Sequence, residues 1–163
     1  MDADKNDVEI YDPPHDIANK ISVGGPNAIT EALLERTEKN LIVNFGNMYS
    51  DWLAEDIRKL DAYLDDMQPG MGADGAAVVD FRACVHELRG MGGTFNYALV
   101  TAIGDQMYRM IANVETISVE FQAALMVHLD ALKLVAGEQL QGDGGDRGQE
   151  ILAGLRKVFE KFS

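Results

Sequence analysis

One histidine of this sequence has neighbours that suit phosphoryl chemistry. His86 lies in the stretch VHELRGMGGTFN, with Arg82 four residues before it and Arg89 three residues after it. On a helix, these spacings place side chains next to one another. Imidazole is a nucleophile at neutral pH, and guanidinium groups donate charge-assisted hydrogen bonds to phosphoryl oxygens. The pattern therefore indicates a covalent phosphoryl site on His86.

The glycines that follow indicate that one face of this helix is bare. A glycine inside a helix costs about 1 kcal/mol relative to alanine, so three of them beside one histidine need a reason. On a helical wheel the apolar residues up to Gly92 share the buried side, and His86 falls on a flank that faces water. Gly90 and Gly93 lie beside it and would let another protein surface approach. The alternative interpretation is a surface histidine in a helix end loosened by its glycines.

The helices that would hold this site are indicated by apolar residues at helical spacing. The first apolar stretch is longer than a usual globular helix, so we expect a break near residues 44–46 or 36–40. QPGMGADG (68–75) predicts a turn, after which Asp74 would cap the next helix, and a joint is expected near 115–118. The apolar stretches cover residues 29–67, 81–92, 100–117, 121–135 and 151–162.

The expected fold class is all-α, because no segment alternates with period two. Short connections between amphipathic helices predict an antiparallel four-helix bundle with an additional N-terminal arm or helix and a C-terminal helix. Residues 1–25 have little periodicity and are interpreted as the arm, and residues 26–163 as the helical domain. Residues 137–148 break the chain before the last helix, which would either cover the bundle or pair two chains.

Composition limits the classes of partner. With 163 residues, 47% of them hydrophobic, the chain is expected to form one soluble domain. Its net charge of −13 argues against nucleic acid or an anionic membrane as a partner. No apolar run reaches the roughly 18 residues of a membrane span, and the acidic N-terminus is unlike a signal peptide, so a cytoplasmic location is expected.

The other candidate residues indicate structural roles. Cys84 is the single cysteine, which excludes an intramolecular disulfide and a zinc site of several thiolates, and we expect a buried, unreactive thiol. His128 lies on an apolar stripe and is expected to be a hydrogen-bonded core or edge histidine. His15, in the arm, is a weak metal candidate, and Trp52 is expected to pack. No metal site is predicted.

Residues 86–96, HELRGMGGTFN, resemble the active-site motif of histidine-containing phosphotransfer (HPt) domains. In that motif the histidine is followed by an apolar residue, a lysine or arginine, a glycine, two small residues and a further apolar residue. Residues 100–107, VTAIGDQM, are similar to the apolar pattern of the family's next helix. The resemblance covers about residues 40–135, and its motif positions are held here by His86, Leu88, Arg89, Gly90, Gly92, Gly93 and Phe95.

Three positions depart from the family's pattern. Arg89 stands where most members have lysine, which keeps the charge but changes the geometry. Asn96 replaces a common glycine, and Tyr108 stands where a glutamine often orients the imidazole. Gln106 is near in sequence but lies on another side of its helix, so that role is not transferred to it. The group that orients the ring of His86 is left open.

The resemblance implies a phosphorelay intermediate. Such domains accept a phosphoryl group from the aspartate of one receiver domain and pass it to the aspartate of another, without kinase activity or a nucleotide site. GDGGDRG (142–148) accordingly lacks the lysine and hydroxyl residue of a phosphate-binding P-loop. The partners would be response-regulator receiver domains or a hybrid sensor kinase. The chain would be a monomer without a cofactor, and Mg²⁺ would belong to the receiver.

The resemblance also implies roles for individual residues. His86 would be the phosphoacceptor, Arg89 would stabilise phosphoryl charge, and Gly90 and Gly93 would give clearance. Further candidates at the site are Arg82, Glu87 and Tyr108. The residues expected to contact a docked partner are Val79, Ala83 and Met91.

Two other functions remain as alternatives. HELR also resembles the phosphoacceptor box of sensor histidine kinases, in which Glu87 would be the acidic neighbour of the histidine. That box continues with Thr-Pro, whereas Gly90 and Met91 follow here, and no ATP-binding domain is seen in the sequence. The other alternative is a helical scaffold or inhibitor that binds a signalling partner through the same face and carries no phosphate.

Overall fold

Helices make up most of the chain, which confirms the all-α class. The computed structural model describes residues 30–162, except for the side chains at 31 and 38–47, and this part contains no strand. None of its helices is both long and apolar enough to cross a bilayer. The predicted arm, with His15, lies outside the described residues. The described helices are α1 (Glu31–Asp66), α2 (Ala76–Thr94), α3 (Ala98–Ala112), α4 (Val119–Gly137) and α5 (Gly145–Phe159).

The break expected in the first apolar stretch is absent, so that prediction is wrong. Helix α1 continues without interruption over 36 residues. Asn44 and Gly46 lower helix propensity, but they keep the backbone hydrogen bonds of a helix, and no proline falls in the segment.

The chain divides into two compact units between Lys39 and Asn40. In the described part of the first unit, the Thr30 hydroxyl accepts a hydrogen bond from the Leu33 amide at 3.2 Å and caps the start of α1. All the buried apolar residues of the described part lie in the second unit.

The core forms from the apolar stripes that the sequence predicted. In α1, residues 53, 57, 60 and 64 are all buried, as is Met67 directly after it, and the stripes of α2, α3 and α4 are buried in the same way. Helix α3 packs against α2, α4 and α5. The last helix contributes less, because of its apolar residues only Leu155 is fully buried.

The connections place the helix ends. The loop after α1 pairs with the connection between α3 and α4, where the Gly70 amide donates to the Ile117 carbonyl and the Ile117 amide to the Met71 carbonyl, each at 2.8 Å. The predicted turn at 68–75 and the joint near 115–118 are therefore confirmed. The predicted cap is wrong. Helix α2 begins after Gly75, and no side chain, that of Asp74 included, caps its first turn with a hydrogen bond.

A close approach of α2 and α3 sets the geometry of the site. A Cβ on Gly92 would lie 2.9 Å from the Tyr97 carbonyl oxygen and 2.7 Å from Oγ1 of Thr101, so the start of α3 needs a glycine there. Between the helices, Asn96 has a φ of 62°. Asparagine tolerates this left-handed conformation better than most residues.

Candidate functional site around His86

His86 projects from α2 into solvent. Its neighbour Val85 and the following Leu88 are buried in the core, whereas His86 and Glu87 are exposed. The sequence-based prediction that the imidazole lies on the water-facing flank is therefore confirmed.

Arg89 contacts the imidazole directly. Its Nη2 lies 3.4 Å from Nδ1 of His86, a long hydrogen bond. Because a guanidinium group can only donate, Nδ1 must be the acceptor in this contact. The other ring nitrogen, Nε2, has no hydrogen-bond partner among the described residues. Nε2 is therefore the nitrogen that a reacting group can approach.

Tyr108 forms the second side of the site. Its ring centroid is 5.4 Å from that of His86, with 49° between the planes. The guanidinium carbon of Arg89 lies 4.4 Å from the centre of the same ring, within the range of a cation–π contact. Tyr108 thus contacts the imidazole with its ring, at the position where the HPt pattern often has glutamine.

Asp105 completes the group, and sequence reasoning missed it. Its Oδ1 lies 3.3 Å from Nη1 of Arg89, and this ion pair is partly exposed. The two residues are sixteen positions apart, on different helices. The spacing of Asp105 and Tyr108, three residues apart on α3, is the one sequence signal that could have placed them on the same face.

The three glycines of the motif have different surroundings. Beyond its own turn of helix, a Cβ on Gly90 would meet no described atom within 4 Å, so this position leaves open space beside His86. A Cβ on Gly93 would make an ordinary contact of 3.8 Å with Oγ1 of Thr101. Gly92, by contrast, is needed for the approach of α3. Clearance beside the imidazole is therefore a property of Gly90 above all.

Two grooves meet at His86. The first, the α1–α2 groove, has a volume of about 540 Å³ and is lined by Tyr49, Trp52, Glu55, Asp56, Lys59, His86, Glu87, Gly90 and Met91. The second, the α2–α3 groove, has a volume of about 400 Å³ and is lined by Val79, Arg82, Ala83, His86, Glu87 and Tyr108. The two linings include every site residue named from the sequence except Arg89 and Gly93. Arg89 belongs to the site through its contact with the imidazole, whereas Gly93 lines neither groove.

An aromatic cluster borders the α1–α2 groove. Tyr49 stacks on Phe95 with ring centroids 4.8 Å apart, and Trp52 meets Phe95 edge-on at 6.1 Å. Trp52 packs as expected, but 44% of it remains exposed, as does 39% of Met91 across the groove. Exposed aromatic and methionine side chains are typical of protein-binding surfaces.

His128 is a core histidine, as predicted. It is fully buried. Its Nδ1 lies 2.8 Å from the Ala124 carbonyl oxygen, and its Nε2 lies 3.1 Å from Oε1 of the Gln106 side chain. Burial lowers the pKa of His128, and the Ala124 carbonyl offsets only part of this shift. Gln106 is thus engaged on the α4 side of α3.

Cys84 is half-buried rather than buried, with Sγ 3.8 Å from the Asp56 carbonyl oxygen. Burial, and after it the Asp56 carboxylate, raise the pKa of this thiol to about 11. The thiol therefore stays protonated and unreactive at neutral pH, in agreement with the expectation.

Among the described side chains, no group of three or more His, Cys, Asp or Glu residues is placed to hold a metal ion. Comparison of the chain with protein-family models, characterised proteins and solved structures gives no match. The chemistry of the site itself is therefore what indicates a function.

Proposed function

We propose that this chain is a histidine phosphotransfer protein, which carries a phosphoryl group on His86 between receiver-domain aspartates in a two-component phosphorelay. It acts as a carrier and not as a kinase. Its partners are response-regulator receivers or a hybrid sensor kinase, and they supply Mg²⁺. The observation that carries the proposal is an exposed imidazole whose Nδ1 faces Arg89 and whose Nε2 has no hydrogen-bond partner among the described residues.

The contact at Nδ1 suits the product of the transfer. A neutral ring whose Nδ1 accepts from Arg89 carries its proton on Nε2, so that proton first exchanges through solvent to Nδ1 and frees the lone pair of Nε2. Nε2 then attacks the phosphorus of an aspartyl phosphate, the P–O bond to the aspartate breaks, and the ring loses its Nδ1 proton to solvent. In the neutral phosphorylated ring, Nδ1 bears a lone pair. The N–H of Arg89 can donate to that lone pair, whereas it would oppose a proton on Nδ1. Arg89 thus favours the phosphorylated imidazole.

The surroundings suit a docking receiver. The open space beside Gly90 leaves room for the partner's loops around its aspartate. Val79 and Ala83 line the α2–α3 groove, and Met91 lines the α1–α2 groove, so a partner centred on His86 would contact both. Protein interfaces commonly combine such an apolar centre with a polar rim.

The fold that we propose for this function is an antiparallel four-helix bundle of the second half of α1 with α2, α3 and α4, with α5 added beside it. Contacts of α1 support this arrangement. The Gln122 side chain of α4 donates to the Leu64 carbonyl of α1 at 3.0 Å, and Lys133 of α4 pairs with Asp61 at 2.7 Å. We further propose that the chain is a monomer and that it is located in the cytoplasm, together with the receivers to which it would transfer the phosphoryl group.

The test charges the purified chain and discharges it through receivers. Phosphoramidate, a small P–N phosphoryl donor, is used to phosphorylate His86 and is then removed. Each receiver domain of the organism that makes this chain is added with Mg²⁺, and both proteins are weighed by intact-protein mass spectrometry. We expect His86 to lose its phosphoryl group rapidly to the aspartate of at least one receiver.

The controls separate His86 from the other histidines. His86→Gln should take up no acid-labile, alkali-stable phosphoryl group, and His15→Gln should behave like the wild-type chain. If every receiver left the phosphohistidine as stable as it is in buffer, the relay proposal would be wrong.

One observation favours a scaffold as the second candidate. The guanidinium group of Arg89 already contacts Asp105 and Tyr108, and the grooves beside it expose Trp52 and Met91. A surface of this kind can bind a partner without phosphate. The scaffold would hold a partner equally well with wild-type His86 or His86→Gln, as measured by calorimetry, and would not discharge into any receiver.

A further inference from the structure

One face of α3 is occupied by contacts to Arg89. The Thr101 hydroxyl donates to the Arg89 carbonyl oxygen at 3.1 Å. A Cβ on Gly104 would lie 3.3 Å from Cβ of Arg89, so the absence of a side chain lets the arginine lie against α3. Asp105 pairs with the guanidinium group, and Tyr108 lies under it. These four residues are spaced i, i+3, i+4 and i+7, which is one side of a helix.

The contacts act on different parts of Arg89. Thr101 and Gly104 hold its backbone and the base of its side chain, while Tyr108 provides a surface for the guanidinium plane. None of these three selects which guanidinium nitrogen faces His86. Asp105 does, because its carboxylate engages Nη1 and leaves Nη2 directed towards Nδ1 of His86.

We infer that Asp105 is a positioning residue, which orients Arg89 so that the arginine donates to Nδ1 of His86. This inference rests on the proposed function of His86 as the phosphoacceptor. An arginine side chain has considerable rotamer freedom, and a fixed guanidinium group loses less entropy for each hydrogen bond that it forms. Asp105 therefore supplies, before phosphorylation, the orientation that the phosphorylated ring requires.

The group formed by Asp105, Arg89 and Arg109 has a net positive charge. The second oxygen of Asp105, Oδ2, lies 3.9 Å from Nη1 of Arg109, whose guanidinium carbon is 5.1 Å from the ring centre of Phe159. One carboxylate thus faces two guanidinium groups. Asp105 can hold Arg89 in place while the cluster retains a net positive charge for the phosphoryl oxygens.

The experiment compares Asp105→Asn with a matched control. Asp105 is partly exposed, so its isosteric amide variant should fold, which circular dichroism checks. Asp61→Asn removes a carboxylate of similar exposure that pairs with Lys133, between α1 and α4 and away from His86. Asp105→Glu retains the charge and serves as the conservative variant.

Two readouts are used on the full chain. The first is the guanidinium N–H signals of Arg89 in isotope-labelled protein, assigned with Arg89→Lys, which are separate when the group is held and merge when it rotates freely. The second is the rate of phosphoryl uptake by His86 from phosphoramidate. In Asp105→Asn we expect merged signals and uptake slower by about fivefold. Asp61→Asn should change neither, and Asp105→Glu should recover most of the rate.

Separate signals of Arg89 in Asp105→Asn would overturn the inference, and so would an unchanged uptake rate. Either result would leave the proposed function intact, because His86 would still be labelled and discharged. If wild-type His86 accepted no phosphoryl group, the proposed function would fail instead. The Arg89 signals would then still decide whether Asp105 orients the guanidinium group.

Discussion

Two histidines of this chain occupy opposite environments, on the outward face of α2 and in the interior between α3 and α4. His128 is fully buried, and both its ring nitrogens lie near protein groups. His86 is exposed, and only its Nδ1 has a partner among the described residues. A ring with both nitrogens engaged has no lone pair to offer to an electrophile. The comparison teaches that the unused nitrogen, rather than the residue type, marks the candidate for chemistry.

The largest expected effects separate the two rings completely. His128→Ala should lower the free energy of unfolding by about 2–4 kcal/mol, because it leaves a cavity and unpaired partners, yet phosphoryl uptake should persist. His86→Ala should abolish uptake and change stability by less than about 0.5 kcal/mol. Urea unfolding and mass spectrometry on both variants measure this. Uptake lost in His128→Ala while the protein remained folded would contradict the contrast.

Arg89 is expected to give the next largest effect. Arg89→Ala removes the guanidinium group that would stabilise the phosphoryl charge beside His86, so the rate of phosphoryl uptake should fall by roughly 10–100-fold, the range for a lost charged hydrogen bond. Arg82→Ala is the matched control, because Arg82 lines the α2–α3 groove without the contact to Nδ1 that Arg89 makes. Equal losses in the two variants would show that only general positive charge matters at this face.

The buried ring of His128 should make the free energy of unfolding depend on pH. The pKa of His128 is lowered below 6.5 in the folded chain, so below about pH 6.5 the unfolded chain binds a proton that the folded chain does not. Stability contributed by the neutral ring is therefore present above this pH. It is lost as the pH falls towards the folded pKa, with a slope of at most about 1.4 kcal/mol per pH unit.

Urea unfolding between pH 7.5 and 5.5 measures this slope. The slope should be reduced in His128→Gln. A slope that His128→Gln left unaltered would mean that another group is responsible for it.

The sequence predicted the interior better than the site. Apolar stripes report burial directly, so the buried faces of the helices from α1 to α4 and the environment of His128 were anticipated. The continuity of α1 was not, because glycine and asparagine weaken a helix without ending one. The start of α2 was missed because its cap has no side-chain hydrogen bond.

The site was predicted only as far as α2 extends. His86, Arg89 and Gly90 belong to one local pattern, and helical spacing was sufficient to place them together. Asp105 of α3 pairs with Arg89 of α2, and the residue spacing within one helix cannot predict a contact between two helices. Tyr108 was named through its position in the resembling motif, but its contact with the imidazole through the ring follows from how α3 packs on α2.

The smallest expected effects are changes in stability at Gly90 and Gly92, which lie on opposite faces of α2. Gly90 faces open space, so Gly90→Ala should stabilise the chain by about 0.5–1 kcal/mol, from helix propensity alone. Gly92→Ala should destabilise it instead, because its Cβ would collide with the Tyr97 carbonyl oxygen. Thermal unfolding of both variants gives the sign of each change.

Gly90→Ala also tests the clearance that the docking argument requires. The added methyl group stands beside His86 on the face that a receiver would approach, so transfer from phosphorylated His86 to its receiver should slow. Uptake from the small donor phosphoramidate should stay unchanged, because that molecule does not need the open surface. A more stable Gly90→Ala chain with undiminished transfer would mean that the glycine leaves space that no partner uses, and the bare face of α2 would need another explanation.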